Sequence, residues 1–160
     1  MLLPKIREYM LHGLSATPIV MSQLISTAQS VDYDFRPYPD RFTLREVLGH
    51  LADWEDIFFT RISRMVKEEN PVLPNMDEGQ IAIDHDYSHM DTEEQLARFQ
   101  SGRARLTTYL KYLSEDEWIR PGLRPELGSM TVESMCVMIV GHDGYHTKQC
   151  VEWLELIAQA

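Results

Sequence analysis

Apolar positions recur at intervals of three and four along four stretches of this chain, the period of amphipathic helices. The first stretch covers residues 4–29 and carries Ile19, Val20, Leu24 and Ile25 toward its end. Within it, Thr17-Pro18 reads as an N-cap followed by proline at the first helical position, which predicts a break near 13–17. The second stretch opens on a capping box, Thr43 with Glu46 three residues on. It continues through Leu44, Val47, Leu48, Leu51, Phe58, Ile62 and Met65 to about residue 69, where Pro71 and Pro74 stop it.

Thr92 and Gln95 form the box predicted to open a third helix, with Leu96, Phe99, Leu106, Tyr109, Leu110 and Leu113 on one face. Ser114 and Glu117 suggest a short helical turn reaching Trp118. Thr131 is placed to cap a last helix over 132–158. The start of that helix, 132–140, is apolar nearly all round, so it should be buried on several sides, by its neighbours or by a second subunit.

The connectors differ in kind. Residues 32–42 hold Pro37 and Pro39 among aromatic side chains, and 120–130 is turn-rich. Residues 70–90 form a connector too long to be idle. No convincing run of strands is visible. Four helices of about 20–26 residues, roughly 30–39 Å each, make a matched set. The expectation is an all-α chain, a four-helix bundle forming one domain over 1–160.

Composition narrows the function. The chain has 160 residues, 44% of them hydrophobic, and a net charge of −10. That sign repels phosphate backbones and anionic lipid, so nucleic-acid and membrane partners are disfavoured. No run approaches the ~20 apolar residues of a membrane helix, and the charged N-terminus does not resemble a signal peptide. Cys136 and Cys150 stand too far apart on one helix to bridge. They read as reduced, semi-buried thiols of a cytoplasmic protein. The nine methionines read as core filler.

The histidines carry the chemistry. His142 and His146 are four apart, on one helical face a turn from each other, and could share one divalent ion. The zincin pattern is absent, since Asp143 follows His142 where that motif has glutamate. A third ligand must come from another helix. His50 is the candidate, flanked by the core positions Val47, Leu51 and Trp54. The alternative is that these are core histidines satisfied by neighbouring polar groups. Three histidines with open positions describe a catalytic type of metal site.

Asp53 and Gln149 could orient ligands or could be solvated helix residues. His85 and His89 are also four apart, but in the 70–90 connector. They are either surface residues or part of a segment folded over the metal. No G-x-S-x-G, P-loop or G-x-G-x-x-G segment is present. Arg98, Arg103, Arg105 and Lys111 read as the solvated face of the third helix.

The segment from Thr43 through Arg45, Glu46, Val47, His50 and Asp53 to Glu55, the Arg103-centred third helix, the Trp118, Gly128 and Thr131 connector and the closing His142-Asp143-x-x-His146-x-x-Gln149 together resemble the DinB-like (YfiT-like) metalloenzyme superfamily. The resemblance spans nearly the whole chain. It implies a four-helix bundle with up-up-down-down connectivity, often a homodimer. It also implies a divalent metal, nickel or zinc, on His50, His142 and His146. Family members include transferases that use a low-molecular-weight thiol as cosubstrate, and mycothiol-dependent isomerases.

Three functions are therefore expected in turn. The first is a metal-dependent thiol S-transferase acting on a small electrophilic molecule. The second is a metal-dependent hydrolase that activates water. The third is a non-enzymatic metal- or ligand-binding dimer. No general base stands out beyond His85, His89 or Asp53.

Overall fold

The computed structural model describes residues 2–159. In chain order the elements are α1 (Pro4–Ile25), α2 (Leu44–Lys67), α3 (Glu78–Asp84), α4 (Thr92–Lys111), α5 (Glu115–Trp118), β1 (Pro121–Arg124), β2 (Gly128–Thr131) and α6 (Val132–Ala158). The long helices α1, α2, α4 and α6 form the bundle, and among the described residues no helix is long and apolar enough to cross a membrane.

Local chemistry sets most helix starts. Thr43 accepts from the Glu46 N–H, while the Glu46 carboxylate accepts from the Thr43 N–H at 2.8 Å. Ser114 and Glu117 repeat that arrangement at α5. Thr131 accepts from the Ser134 N–H at the start of α6. At α4 the expected cap is displaced by one residue: Asp91 accepts from the Glu94 N–H, and Thr92 and Gln95 are buried instead. An aspartate at that position satisfies an orphan donor and also complements the helix dipole.

The break predicted near 13–17 does not occur. Pro18 lies inside α1, in register with the buried Leu14 and Met21. Proline has no N–H to give the carbonyl four residues back, which leaves the Leu14 carbonyl free. Arg103 Nη1 takes it at 2.8 Å. A side chain from another helix thus replaces the missing bond, and α1 continues unbroken.

Cross-helix contacts fix the directions. Arg7 meets Glu133 and Met21 meets Thr147, so α1 and α6 run parallel. Asp53 meets Arg98 and Phe59 meets Tyr109, so α2 and α4 also run parallel. His50 meets His146 while Phe42, just before α2, meets Trp153, so α2 and α6 run antiparallel. The chain order is therefore up-down-down-up, which corrects the up-up-down-down connectivity that the resemblance implied. The parallel α2–α4 pair explains the long connector, because the chain must return along the 24 residues of α2, about 36 Å, before α4 can start.

That connector is structured. It contains α3 and a 3₁₀ turn at Tyr87–His89, and it buries Leu73 and Tyr87. The 120–130 segment, expected to hold no strands, forms an antiparallel hairpin in which Pro121 pairs with Thr131 and Arg124 with Gly128. Gly128 closes it at φ +84°, where a side chain would be strained. The hairpin ties down the connector through Leu73 N–H to the Leu123 carbonyl at 2.8 Å.

Two apolar clusters fill the bundle. One gathers Leu14, Phe58, Ile62, Leu106, Val132 and Ile139. The other gathers Met21, Leu44, Leu48, Leu51, Phe99 and Trp153. Each fully buried leucine contributes about 1.5–3 kcal/mol. Cys136 and Cys150 are free and wholly buried rather than semi-buried, and burial pushes both thiols up to about 12. Only part of the apolar start of α6 is covered, since Val137 stays 52% exposed and Val140 is exposed too.

Candidate metal centre

His50 lies two turns into α2, on the face turned toward α6, where His142 and His146 stand one turn apart. The structure brings all three together, with one ligand nitrogen from each within 4.8 Å of the others. Ring centroids are 4.6 Å apart for His50–His146 and for His142–His146, and 5.0 Å for His50–His142. His50 and His146 are buried.

Burial first, then the neighbouring His146 and His142, push His50 down to about 2. Burial and His142 likewise push His146 down to about 3. Both rings are therefore neutral at pH 7, the state in which imidazole ligates.

The donor set fits a divalent ion. His50 Nε2 and His142 Nε2 stand 2.8 Å apart, and a single N–H can bridge them only once. The Nδ1 atoms of all three rings are buried and make no hydrogen bond within 3.5 Å among the described residues, the nearest carboxylate to that of His142 being Asp143 at 3.9 Å. Three converging imidazoles with more polar atoms than partners are a poor apolar core and a good ligand set.

The surroundings shape access. A cavity of about 350 Å³ opens onto His142 and His146, with Arg41, Phe42, Glu78 and Tyr145 among its walls. Glu78 comes from α3, so the 70–90 connector does wall the site. A slightly larger groove of about 380 Å³ lies at the other end of the bundle, where Arg7 and Glu115 pair with each other. Behind the cluster, His50 packs against Phe42 at 5.3 Å and Trp54 at 5.3 Å.

Gln149 is buried, interacts with His146 and donates to the Phe42 carbonyl at 2.7 Å. Asp53 does not turn toward the cluster. It accepts from Tyr87 Oη at 2.9 Å and Arg98 Nη2 at 2.8 Å, and pairs with His85 Nδ1 at 2.5 Å. Burial works to raise the Asp53 carboxyl, but His85, Arg98 and Tyr87 outweigh it and hold it below its ordinary range. His85 thus latches the connector to α2, outside the three-histidine group, while His89 is exposed beside Asp86. Tyr87, which the sequence reading passed over, is buried against Gly49. A Cβ at Gly49 would come within 3.0 Å of its ring.

Arg103 corrects the reading of α4's solvated face. It is 1% exposed and joins Glu55 at 2.6 Å and Asp143 at 2.5 Å. Burial raises the Glu55 carboxyl against Arg103's pull. At Asp143 burial is outweighed by His142 and Arg103, and the carboxyl stays low. The signal was present: Arg103 continues the spacing Phe99, Leu106, Leu110, while Asp143 falls between Ile139 and His146 on α6.

A four-helix bundle with three converging histidines at a cavity defines a class of helical-bundle proteins with a candidate metal site. The DinB superfamily profile matches residues 14–150, and the chain belongs to that family. A candidate metal-dependent hydrolase of Oceanobacillus iheyensis is 30% identical over 105 residues, 66% of this chain. This chain spans only 60% of that relative's length. YfiT of Bacillus subtilis, also named as a candidate metal-dependent hydrolase, is 26% identical over 141 residues, 87% of this chain and 79% of that protein. The solved structure of YfiT superposes with a TM-score of 0.92 at 21% identity, covering 99% of this chain and 91% of that one. A mycothiol-dependent maleylpyruvate isomerase shares the fold with a TM-score of 0.72 at 14% identity, over 88% of this chain and 58% of its own.

Proposed function

We propose that His50, His142 and His146 hold one divalent ion, nickel or zinc, and that the chain uses it to act on a small molecule in the adjoining cavity. The observation that carries this reading is the convergence of three under-partnered imidazoles beside an accessible cavity. A divalent ion there would supply Lewis-acid chemistry, lowering the pKa of the water or thiol that reacts.

The chain's own residues do the rest. Phe42 and Trp54 shield His50 from solvent. Gln149 ties His146 to the segment entering α2. Arg103 fixes Asp143, and with it the helical turn that carries His142.

Hydrolysis is the first reading, because two curated relatives carry that name. Thiol transfer is the second, because a cavity of about 350 Å³ leaves room for a thiol cosubstrate beside an electrophile. For transfer the thiolate would have to be external, since Cys136 and Cys150 are sealed in the core. The exposed Val137 and Val140 support a homodimer built on α6.

The test is elemental analysis by plasma mass spectrometry on tag-free protein, beside His50→Ala and His146→Ala. About one ion per chain, lost in both variants while helix content is kept, is the expected result. Metal retained in either variant, or none taken up with Zn²⁺ or Ni²⁺, defeats the reading. Ester, amide and lactone panels run with and without thiol then separate hydrolysis from transfer.

A further inference from the structure

In a chain of net charge −10, two buried guanidinium groups have no carboxylate partner among the described residues. Arg61 is 4% exposed and Arg124 is 8% exposed. Buried arginines elsewhere in the bundle are paired, Arg7 with Glu115 and Glu133, Arg103 with Glu55 and Asp143. Arg61 and Arg124 meet only neutral acceptors, at adjacent positions of one loop. Arg61 Nη2 donates to the Pro74 carbonyl at 2.9 Å, and Arg124 Nη2 donates to Asn75 Oδ1 at 3.4 Å.

Three buried donors on Arg61, Arg124 and Trp54 are left over. Arg61 Nη1, Arg124 Nε and Trp54 Nε1 have no hydrogen-bond partner among the described residues. Burial, and then the charge of Arg124, push Arg61 down to about 10, so it remains protonated at neutral pH. Positive charge confined without an anion, over an indole ring whose own N–H is unsatisfied, is unfavourable unless an acceptor arrives. A carboxylate or phosphate is acceptor-only and suits guanidinium geometry.

The place adjoins the histidines. The Arg61 guanidinium lies over the Trp54 ring at 5.4 Å, and that ring lies 5.6 Å from the ring of His142. The loop holding both arginines continues from Pro74 to Glu78 and Gly79, which wall the histidine cavity. Pro74 and Asn75, which accept from the two guanidiniums, are themselves exposed.

We infer that Arg61, Arg124 and the Trp54 indole N–H form an oxyanion subsite that binds the carboxylate or phosphate group of the small molecule acted on at the three histidines. The anion subsite stands on its own residues, and its link to the reacting end rests on the metal-site reading above.

The test follows the indole N–H of Trp54 in ¹H–¹⁵N spectra, assigned by its loss in Trp54→Phe. Metal-free protein is titrated at constant ionic strength with sodium phosphate and, separately, sodium acetate. Trp118 and Trp153 serve as internal references. A saturable shift confined to Trp54, weakened at least tenfold in Arg124→Gln, is the expected result. Arg124 lies on the β1–β2 hairpin, outside the four bundle helices, so its variant keeps the bundle even if Arg61→Gln does not fold. Response to phosphate alone assigns a phosphate, and response to acetate as well assigns a carboxylate. No saturable shift with either anion, or an unchanged affinity in Arg124→Gln, overturns the inference. An anion shift in a protein that takes up no metal defeats only the histidine reading, and stoichiometric metal without an anion shift defeats only this one.

Discussion

Arg103 and Arg61 are both buried, yet their surroundings are opposites. Arg103 spends its donors on Glu55, Asp143 and the carbonyl that Pro18 leaves free. Arg61 has one neutral carbonyl, a tryptophan face and a second arginine. The first is a finished network that joins α1, α2, α4 and α6. The second is an unfinished one beside the cavity. Burial alone therefore does not tell structure from function, whereas the tally of satisfied donors does.

The largest break in that comparison is Arg103→Met. It strands two buried carboxylates and frees the Leu14 carbonyl again, and should cost about 3–5 kcal/mol in urea unfolding. A loss below about 1 kcal/mol would show that the network is not what joins the four helices.

Asp53→Asn comes next, because it weakens the latch on the connector that carries both the cavity wall and the Pro74–Asn75 acceptors of Arg61 and Arg124. A loss of about 1.5 kcal/mol at pH 7 is expected. The folded Asp53 carboxyl lies below its ordinary value. Its stabilisation is therefore complete above about pH 4 and disappears as pH falls through the folded value. Wild type and variant should converge in acid, and a constant gap down to pH 2 would contradict the assignment.

Arg61→Met should have the smallest effect, within about 1 kcal/mol of wild type, since it loses one hydrogen bond but also removes an unpaired buried charge. A loss comparable to that of Arg103→Met would make Arg61 a structural residue.

Much of the fold was legible in local pattern. The Thr43–Glu46 box, the Ser114–Glu117 turn and the Thr131 cap stand where the spacing put them, because a cap depends on residues within one turn. Pro18 was misread for the same reason. Its local meaning is a helix break, and only a guanidinium arriving from α4 cancels it. The hairpin after α5 was missed because its strands are short and lean on the connector through Leu123.

For the candidate centre, helical spacing alone put His142 and His146 on one face, and the place of His50 among the core positions of a second helix, with the family resemblance, added the third. Sequence determined the four long helices, the starts of α2, α5 and α6, and the shared face of His142 and His146, but not α3 or the Asp91 cap of α4. Tertiary structure alone decided that α2 and α4 run parallel, that Arg103 is a core residue while Arg61 is left without a counter-charge, and that His85 serves Asp53 rather than the cluster. The physical reason is range. Capping and periodicity act within a turn or two of chain, whereas the partner of a buried charge is set by which distant helix packs beside it.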